Sequence, residues 1–243
     1  DPGCLPRGAS RGRDTRLRAV GRSGAVRSTG RVRPTGRGEA MGAVPMTTDA
    51  SAGWDEVAEQ FMAVRSAVGT ALVRPWAADC LPAAATIPDV GCGSGVPIAT
   101  ALVEDGFRVW GVDAAPRLIA AFRRELPEMR AACEAAQTSA FFDRTFAGVI
   151  AIGLIFLLGE REQRQLLKNV GRALRPGGRF LFTAPAQACR WRDTLTRRPS
   201  LSLGTEAYAE HLAAAGLRVI GCQADEGGNN YFDVIRPEHT PAN

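Results

Sequence analysis

Apolar residues recur at helical spacing where the regular part of the chain begins, near Ser51. Ser51 or Asp55 is a suitable N-cap for a first helix, whose apolar stripe has i, i+3 and i+4 spacing and comprises Trp54, Val57, Phe61, Val64 and Val68. The segment that follows carries Pro75 and Pro82, and we interpret it as a loop. The pattern therefore predicts one helix and one loop ahead of the first strand.

Short apolar runs and amphipathic segments alternate along the rest of the chain. The apolar runs predict strands at Ala85–Val90, Phe107–Val112, Thr145–Ile152, Arg179–Thr183, Leu217–Ala224 and Tyr231–Arg236. The amphipathic segments predict helices at Pro97–Glu104, Arg117–Glu125, Arg161–Leu174 and Thr205–Ala215. This alternation indicates an α/β fold with a doubly wound sheet. The last two strands follow each other directly and predict an antiparallel hairpin at its edge.

The first 45 residues lack any such periodicity. They are rich in Arg and Gly and contain no aromatic residue, so they bury too little to offset the entropy of ordering. We expect residues 1–45 to be a disordered tail and residues 46–243 to form a single domain. Since Met41 and Met46 stand just before the first helix, we interpret the tail as translated upstream sequence. A targeting peptide or a nucleic-acid-binding arm is the alternative.

The positive charge of the chain is confined to that tail. The formal net charge is +5, but residues 1–40 hold ten Arg against three acidic residues, a net +7, which leaves −2 for residues 41–243. The predicted domain is therefore close to neutral. Its charge gives no reason to expect a nucleic-acid partner.

The cysteine pattern and the hydropathy limit the cellular location and the classes of protein that remain possible. The six cysteines are scattered, without a C-x-x-C pair or metal-ligand spacing, as is usual in a reducing compartment, so we expect a cytoplasmic protein without a metal site. The longest apolar run, Ala147–Leu158, has 12 residues and is too short to span a bilayer. We therefore predict no membrane association.

A glycine-rich turn joins the first predicted strand to the helix after it. Its sequence, Asp89-Val90-Gly91-Cys92-Gly93-Ser94-Gly95, allows positive φ angles and lets a ligand approach backbone N–H groups at a helix N-terminus. A tight structural turn would also use small residues, so the glycines alone leave both interpretations open.

The spacing to a second acid favours a ligand site. Asp113 ends the second predicted strand, 18 residues beyond Gly95, where a carboxylate can accept hydrogen bonds from ribose hydroxyls. A dinucleotide-binding G-x-G-x-x-G pattern needs a glycine at position 96, and Val96 occupies it. A nicotinamide or flavin cofactor is therefore disfavoured.

At this point the sequence resembles the class I S-adenosylmethionine-dependent methyltransferases. Asp89–Gly95 is similar to their first motif, and Gly111–Asp113 to their second. Phe146–Leu158 and Arg172–Thr183 resemble the segments of their fourth and fifth strands. The resemblance extends from about Trp54 to Pro237, and its last part is similar to a bacterial subgroup that acts on small molecules. It implies a Rossmann-like, seven-stranded, mostly parallel sheet.

The resemblance also implies a role for individual residues. The backbone of Gly91, Cys92 and Gly93 would face the methionine and ribose of S-adenosylmethionine, with Gly95 completing the turn. Asp89 would reach the methionine ammonium through water, and Asp113 would hold the ribose hydroxyls. The adenine would meet Ala114 and Glu134, and the main chain of Ile152 would contact the methionine moiety. Trp54, Phe61 and Arg65 would close over the cofactor, with Arg65 near its carboxylate.

The implied reaction is methyl transfer to a small molecule by in-line displacement, in a protein that is a monomer or a homodimer. The acceptor pocket is expected between the first helix, Gly153–Phe156 and Pro185–Ser202, where Trp191 and Tyr231 are candidates to stack on an aromatic acceptor. No residue is identified as a general base, so the catalytic residues stay unknown.

Three departures from the family pattern motivate a second hypothesis, a degenerate fold that binds or regulates without catalysis. They are Pro88, Ala147 and Asn230. Pro88 lies in a central strand, where it removes a ladder donor and predicts a shortened or distorted strand. A nucleic-acid methyltransferase that uses the Arg-rich tail is a third hypothesis. The neutral body disfavours it.

Overall fold

A computed structural model describes residues 49–238, so the expectations for residues 1–45 lie outside the described residues. The strands are β1 (Thr86–Val90), β2 (Arg108–Asp113), β3 (Ala131–Cys133), β4 (Phe146–Ala151), β5 (Leu174–Thr183), β6 (Cys189–Arg192), β7 (Pro199–Ser202), β8 (Arg218–Ala224) and β9 (Asn230–Ile235). The helices are α1 (Ala58–Val64), α2 (Thr70–Cys80), α3 (Ile98–Glu104), α4 (Pro116–Glu125), α5 (Glu160–Ala173) and α6 (Thr205–Ala214). Short 3-10 turns cover Phe141–Asp143 and Ile155–Leu157.

Seven of these strands form one sheet in the order β3-β2-β1-β4-β5-β9-β8. Strands β1 to β5 run parallel, β9 is antiparallel to β5, and β8 is antiparallel to β9. The prediction of a doubly wound, mostly parallel seven-stranded sheet with an antiparallel edge hairpin is confirmed. The order reverses direction between β1 and β4, and in open α/β sheets ligands bind beside that switch point.

Both faces of the sheet are covered, as the continuous apolar runs require. Alternate strand residues contribute to two separate cores: Ile87, Ile150 and Leu181 pack with α2, α3 and α4, whereas Val149 and Phe180 pack with α5 and α6. The period of two along each strand therefore divides the apolar residues between two helical layers.

Pro88 affects the sheet on one side only. The carbonyl of Ala85 accepts from the amide of Arg108, and the amide of Gly91 donates to Val112 on the same neighbour, so odd-numbered residues of β1 face β2. Pro88 consequently faces β4. The ladder to β2 is continuous from Thr86 to Val90, but β1 and β4 share one register pair, Asp89 with Ile150. The predicted distortion is confined to this seam.

The structure differs from the local predictions in three places. The segment around Pro75 is helix α2 instead of a loop, because Val73, Trp76 and Ala77 are buried and outweigh the lost hydrogen bond of Pro75. The first helix is shorter than its apolar stripe, since turns precede it and Arg65 is already extended. The third difference is the hairpin of β6 and β7, which lies within the expected acceptor segment.

Candidate functional site

A cavity opens at the carboxyl ends of β1, β2 and β4, beside the switch point. Its walls come from the glycine turn, from the ends of β2, β3 and β4, and from the segment around α1. The lining residues are Ala50, Ser51, Ala52, Trp54, Phe61, Arg65, Gly91, Cys92, Gly93, Val112, Asp113, Ala114, Leu118, Ala135, Ala136, Gln137, Ile152, Gly153, Leu154, Leu157 and Leu158. The motifs that are separated along the chain thus meet in one cavity.

The three glycines of the turn all adopt left-handed backbone conformations, with φ of +76° at Gly91, +56° at Gly93 and +84° at Gly95. A Cβ on Gly91 would lie 2.8 Å from Leu154 Cβ, and one on Gly95 would lie 2.9 Å from Phe122 Cδ2. Glycine is therefore required for conformation and for close approach. Gly95 packs the turn on α4 and does not line the cavity.

Gly93 provides a test of this requirement, because a Cβ there would lie 3.1 Å from Phe61 Cε1. We expect Gly93→Ala to lower the free energy of unfolding by about 1–2 kcal/mol, from the left-handed backbone and the displaced ring. It should also weaken binding of S-adenosylhomocysteine, measured by calorimetry. The matched control is Gly106→Ala, with φ of +89° and no atom within 4 Å of the added Cβ. An equal loss of ligand affinity in both variants would contradict a specific role for the turn.

Asp113 connects the glycine turn to helix α4. Its Oδ2 accepts from the Gly93 amide and its Oδ1 from the Ala115 amide, both at 2.9 Å. Burial raises the pKa of Asp113, and these backbone hydrogen bonds oppose the rise. A carboxylate has about four lone-pair sites, so two are still available on a group that lines the cavity.

Asp89 is buried without a hydrogen-bond donor among residues 49–238, with 3% of its surface exposed. Burial raises its pKa to about 7; the charge of Arg65 lowers this value and that of Asp113 raises it. Asp89 lies beneath the turn and does not line the cavity, whereas Arg65 does. Burial of the guanidinium lowers the pKa of Arg65, although the residue as a whole is exposed. The region therefore holds a carboxylate whose charge is poorly compensated.

The segment around α1 forms the roof of the cavity. Trp54 and Phe61 meet edge to face with ring centroids 5.4 Å apart, and the guanidinium carbon of Arg65 lies 5.3 Å from the Phe61 centroid. Asp55 anchors this segment by accepting from the Arg117 amide at 2.7 Å. The roof thus rests on the first turn of α4, next to Asp113.

The predicted site residues divide into two groups. Six of them line the cavity, namely Gly91, Cys92, Gly93, Asp113, Ala114 and Ile152. Asp89, Gly95 and Glu134 are not part of the lining, and the Glu134 carboxylate accepts from the Ser139 hydroxyl at 2.6 Å. Tyr231 is 1% exposed and donates to Asp225, so the idea that it stacks on an acceptor is wrong and its role is packing.

Sequence reasoning missed several lining residues. Ala135–Gln137 follow β3. Their position after a third parallel strand could have identified them, because the carboxyl ends of parallel strands lie at one edge of the sheet. Ala50–Ala52 precede the first apolar stripe, and Leu157 and Leu158 follow the apolar run of β4. These small and aliphatic residues carry no chemical signature of a site.

Few ionisable side chains reach the cavity. Within the described part of the chain its lining contains Arg65, Cys92 and Asp113 as the titratable groups. Burial raises the pKa of Cys92 well above its usual value and keeps the thiol neutral. No cluster of three or more His, Cys, Asp or Glu residues suited to a metal ion occurs over residues 49–238. None of the helices in that range has the length and apolarity needed to cross a membrane.

The fold and cavity define a doubly wound α/β protein with a cavity at the sheet's switch point. A family model described as "Methyltransferase domain" matches residues 87–178, which contain the turn, Asp113 and β4. Over these 92 of its 243 residues, the chain is similar to a methyltransferase domain. No curated protein shows a significant sequence match.

Solved structures with the same fold include several methyltransferases. The CcbJ methyltransferase from Streptomyces caelestis has a TM-score of 0.60 and 16% identity, covering 79% of this chain and 99% of that one. The glycopeptide N-methyltransferase MtfA, complexed with S-adenosylmethionine, has a TM-score of 0.57 and 18% identity over 70% and 94% of the two chains. The Burkholderia thailandensis 1,6-didemethyltoxoflavin N1-methyltransferase has a TM-score of 0.57 and 19% identity over 76% and 84%.

Proposed function

We propose that the protein transfers a methyl group from S-adenosylmethionine to a small-molecule acceptor. The observation that carries this proposal is the cavity at the switch point, which joins a glycine cradle to an acid at the end of β2. The solved relatives that act on a glycopeptide and on 1,6-didemethyltoxoflavin support an acceptor of modest size. We also propose a cytoplasmic monomer or homodimer that needs neither nucleic acid nor membrane; the near-neutral charge of residues 41–243 supports the absence of a nucleic-acid partner.

The residues present fit the cofactor. Gly91, Cys92 and Gly93 line the cavity, so their backbone would face the ribose and methionine. Asp113 would accept from the ribose hydroxyls with its two remaining lone-pair sites. Asp89 would balance the methionine ammonium, and Arg65 the carboxylate.

The other assignments concern the cofactor's adenine and the sulfur side. Ala114 and Leu118 would flank the adenine, and Glu134 would receive its amino group after releasing Ser139. The main chain of Ile152 would contact the methionine, and Gly95 would support the turn through α4. We make each of these assignments from the position of the residue relative to the cavity.

The contribution of the chain to the reaction is positioning. When bound, S-adenosylmethionine supplies a methyl group on a positively charged sulfur, from which an in-line attack displaces a neutral thioether. The apolar roof and wall, Trp54, Phe61, Leu154 and Leu157, exclude water and hold an acceptor near the methyl. Such positioning contributes about 7–11 kcal/mol to the barrier reduction of two-substrate reactions. Since the cavity lining of the described chain lacks a His, Glu or Lys side chain, we propose that the acceptor arrives in its nucleophilic form or loses its proton to water.

The cofactor assignment predicts ligand-dependent stability. At a hundred times its dissociation constant, S-adenosylhomocysteine should stabilise the protein by about 2.7 kcal/mol and raise the melting temperature by roughly 5–10 °C. Thermal denaturation with S-adenosylhomocysteine, with S-adenosylmethionine and with NADH as control measures this. An absent shift with both sulfur compounds would favour a degenerate, non-catalytic fold. A shift followed by labelled-methyl transfer to a pool of small metabolites would establish the activity.

A further inference from the structure

The segment that joins α1 to α2 (residues 65–69, the joint) is docked on the turn between β8 and β9 (residues 225–229). The Gly69 amide donates to the Glu226 carboxylate at 3.1 Å, although the two residues are 157 positions apart in the chain. Val68 packs so closely on the turn that a Cβ on Gly227 would lie 2.7 Å from Val68 Cγ1. One polar and one apolar contact therefore hold the end of the joint.

The β8–β9 turn is organised by hydrogen bonds to Asp225. Its carboxylate accepts from the Gly227 amide at 2.9 Å and from the Tyr231 hydroxyl at 3.1 Å. The Tyr231 hydroxyl also limits the joint, because any Cβ on Gly69, whose φ is +92°, would overlap it. Glu226 thus extends from an organised turn to the N-terminus of α2, where a negative charge is favourable.

The other end of the joint carries Arg65, which lines the cavity. Its guanidinium contacts the Phe61 ring and, among residues 49–238, forms no hydrogen bond or ion pair. Burial and the charge of Asp225 raise the pKa of Tyr231, whereas the charge of Arg65 lowers it, which places the guanidinium near the Tyr231 side chain. Since no partner side chain fixes the guanidinium, its position depends on the backbone of the joint.

We propose that Glu226 is a positioning residue for the cofactor: by holding the joint, it keeps the Arg65 guanidinium in the cavity, where this group meets the carboxylate of S-adenosylmethionine. Glu226 is not part of the cavity lining, so its effect passes along the backbone from Gly69 to Arg65. The inference rests on the proposed function, in which Arg65 balances that carboxylate. It adds that a turn at the antiparallel edge of the sheet controls recognition of the amino-acid end of the cofactor.

The test compares S-adenosylhomocysteine with its decarboxylated analogue, which keeps the adenosine, the sulfur and the amine. Calorimetry gives both dissociation constants for the wild type, Glu226→Ala and Glu226→Gln. The wild type should bind S-adenosylhomocysteine about tenfold more tightly than the analogue, as a hydrogen bond between charged groups allows. Glu226→Ala should reduce this preference to about threefold or less while its affinity for the analogue changes little. Glu226→Gln should restore the preference, because its amide oxygen can accept from the Gly69 amide.

A thermodynamic cycle with Arg65 separates positioning from a general structural role. Arg65→Ala should lose the preference for the carboxylate. Adding Glu226→Ala to that variant should change the preference no further, because Glu226 acts through Arg65. The control is Glu210→Ala, which removes an exposed acid on α6 and should keep the wild-type preference.

Three results would overturn the inference. They are equal binding of the two compounds to the wild type, a preference that survives Glu226→Ala, and effects of Glu226→Ala and Arg65→Ala that add in the double variant. Equal weakening of both compounds by Glu226→Ala belongs to the second result and would show a structural role alone. Failure of the proposed function has a different signature, because the wild type would then bind neither compound, and the inference would fail with it.

Discussion

Asp113→Ala is expected to weaken the binding of S-adenosylmethionine by at least tenfold. The carboxylate would lose its hydrogen bonds to the ribose, and hydrogen bonds to charged groups contribute about 1.5–3 kcal/mol each. The substitution also frees the amides of Gly93 and Ala115, so the turn loses its link to α4. Calorimetric titration with S-adenosylhomocysteine measures the change.

The loss of the ribose contact and the loss of the link between the turn and α4 can be measured separately. Titrating the 2′-deoxy and 3′-deoxy analogues of S-adenosylhomocysteine into wild type and variant gives a thermodynamic cycle. Removal of a ribose hydroxyl should weaken binding to the wild type and have little effect on Asp113→Ala. Asp143→Ala, an exposed acid outside the cavity, is the control. If removal of a ribose hydroxyl weakens binding by the same factor in the wild type and in Asp113→Ala, Asp113 acts on the turn and not on the ribose.

Asp89→Asn is expected to stabilise the free protein while it weakens the cofactor complex. The folded-state pKa of Asp89 is raised from 3.8 to about 7, mainly by burial. The unfolded chain therefore releases this proton at a lower pH than the folded protein. The stability contributed by Asp89 is full below about pH 4 and is lost as the pH rises to 7, by roughly 4 kcal/mol at most. Asparagine carries no charge and avoids this loss.

The expected gain in the unfolding free energy of Asp89→Asn is about 1–3 kcal/mol at pH 8 and smaller at pH 5. Binding of S-adenosylmethionine should show the opposite trend. In the wild type it should strengthen as the pH rises through 7, because the ionised carboxylate balances the ammonium, and in the variant this dependence should disappear. Urea denaturation and calorimetry at the two pH values measure both. A variant that is less stable than wild type at pH 8 would show that Asp89 is paired in the free protein.

The apolar runs were sufficient to predict six of the seven strands of the sheet because they obey two simple constraints, whereas the short strand β3 has no comparable run and the count of seven came from the family resemblance. Each run must be covered on both faces, and each glycine turn must join a strand to a helix. The spacing from Gly95 to Asp113 similarly fixed which strand ends meet. The distortion of the strand at Pro88 was also predicted, because a proline lacks the backbone N–H that the neighbouring strand would accept from.

The parts that could not be predicted depend on contacts between distant segments. Helix α2 exists in spite of Pro75 because the opposing sheet buries Trp76, whose indole donates to Asp233. Tyr231 was misassigned because its partner Asp225 is a turn residue with no distinguishing pattern.

The single register pair between β1 and β4 has a consequence for ligand-induced stability. The cavity spans that seam, with Gly91 on one side and Ile152 on the other. One backbone register pair joins β1 to β4, so side-chain packing, such as that of Ile87 and Ile150 in one core, contributes much of the coupling between the two halves of the sheet. A ligand bound across the seam adds a third coupling, and its effect on cooperativity of unfolding is then separate from its affinity. The sharpness of the melting transition, as well as its midpoint, reports how well the ligand joins the two halves.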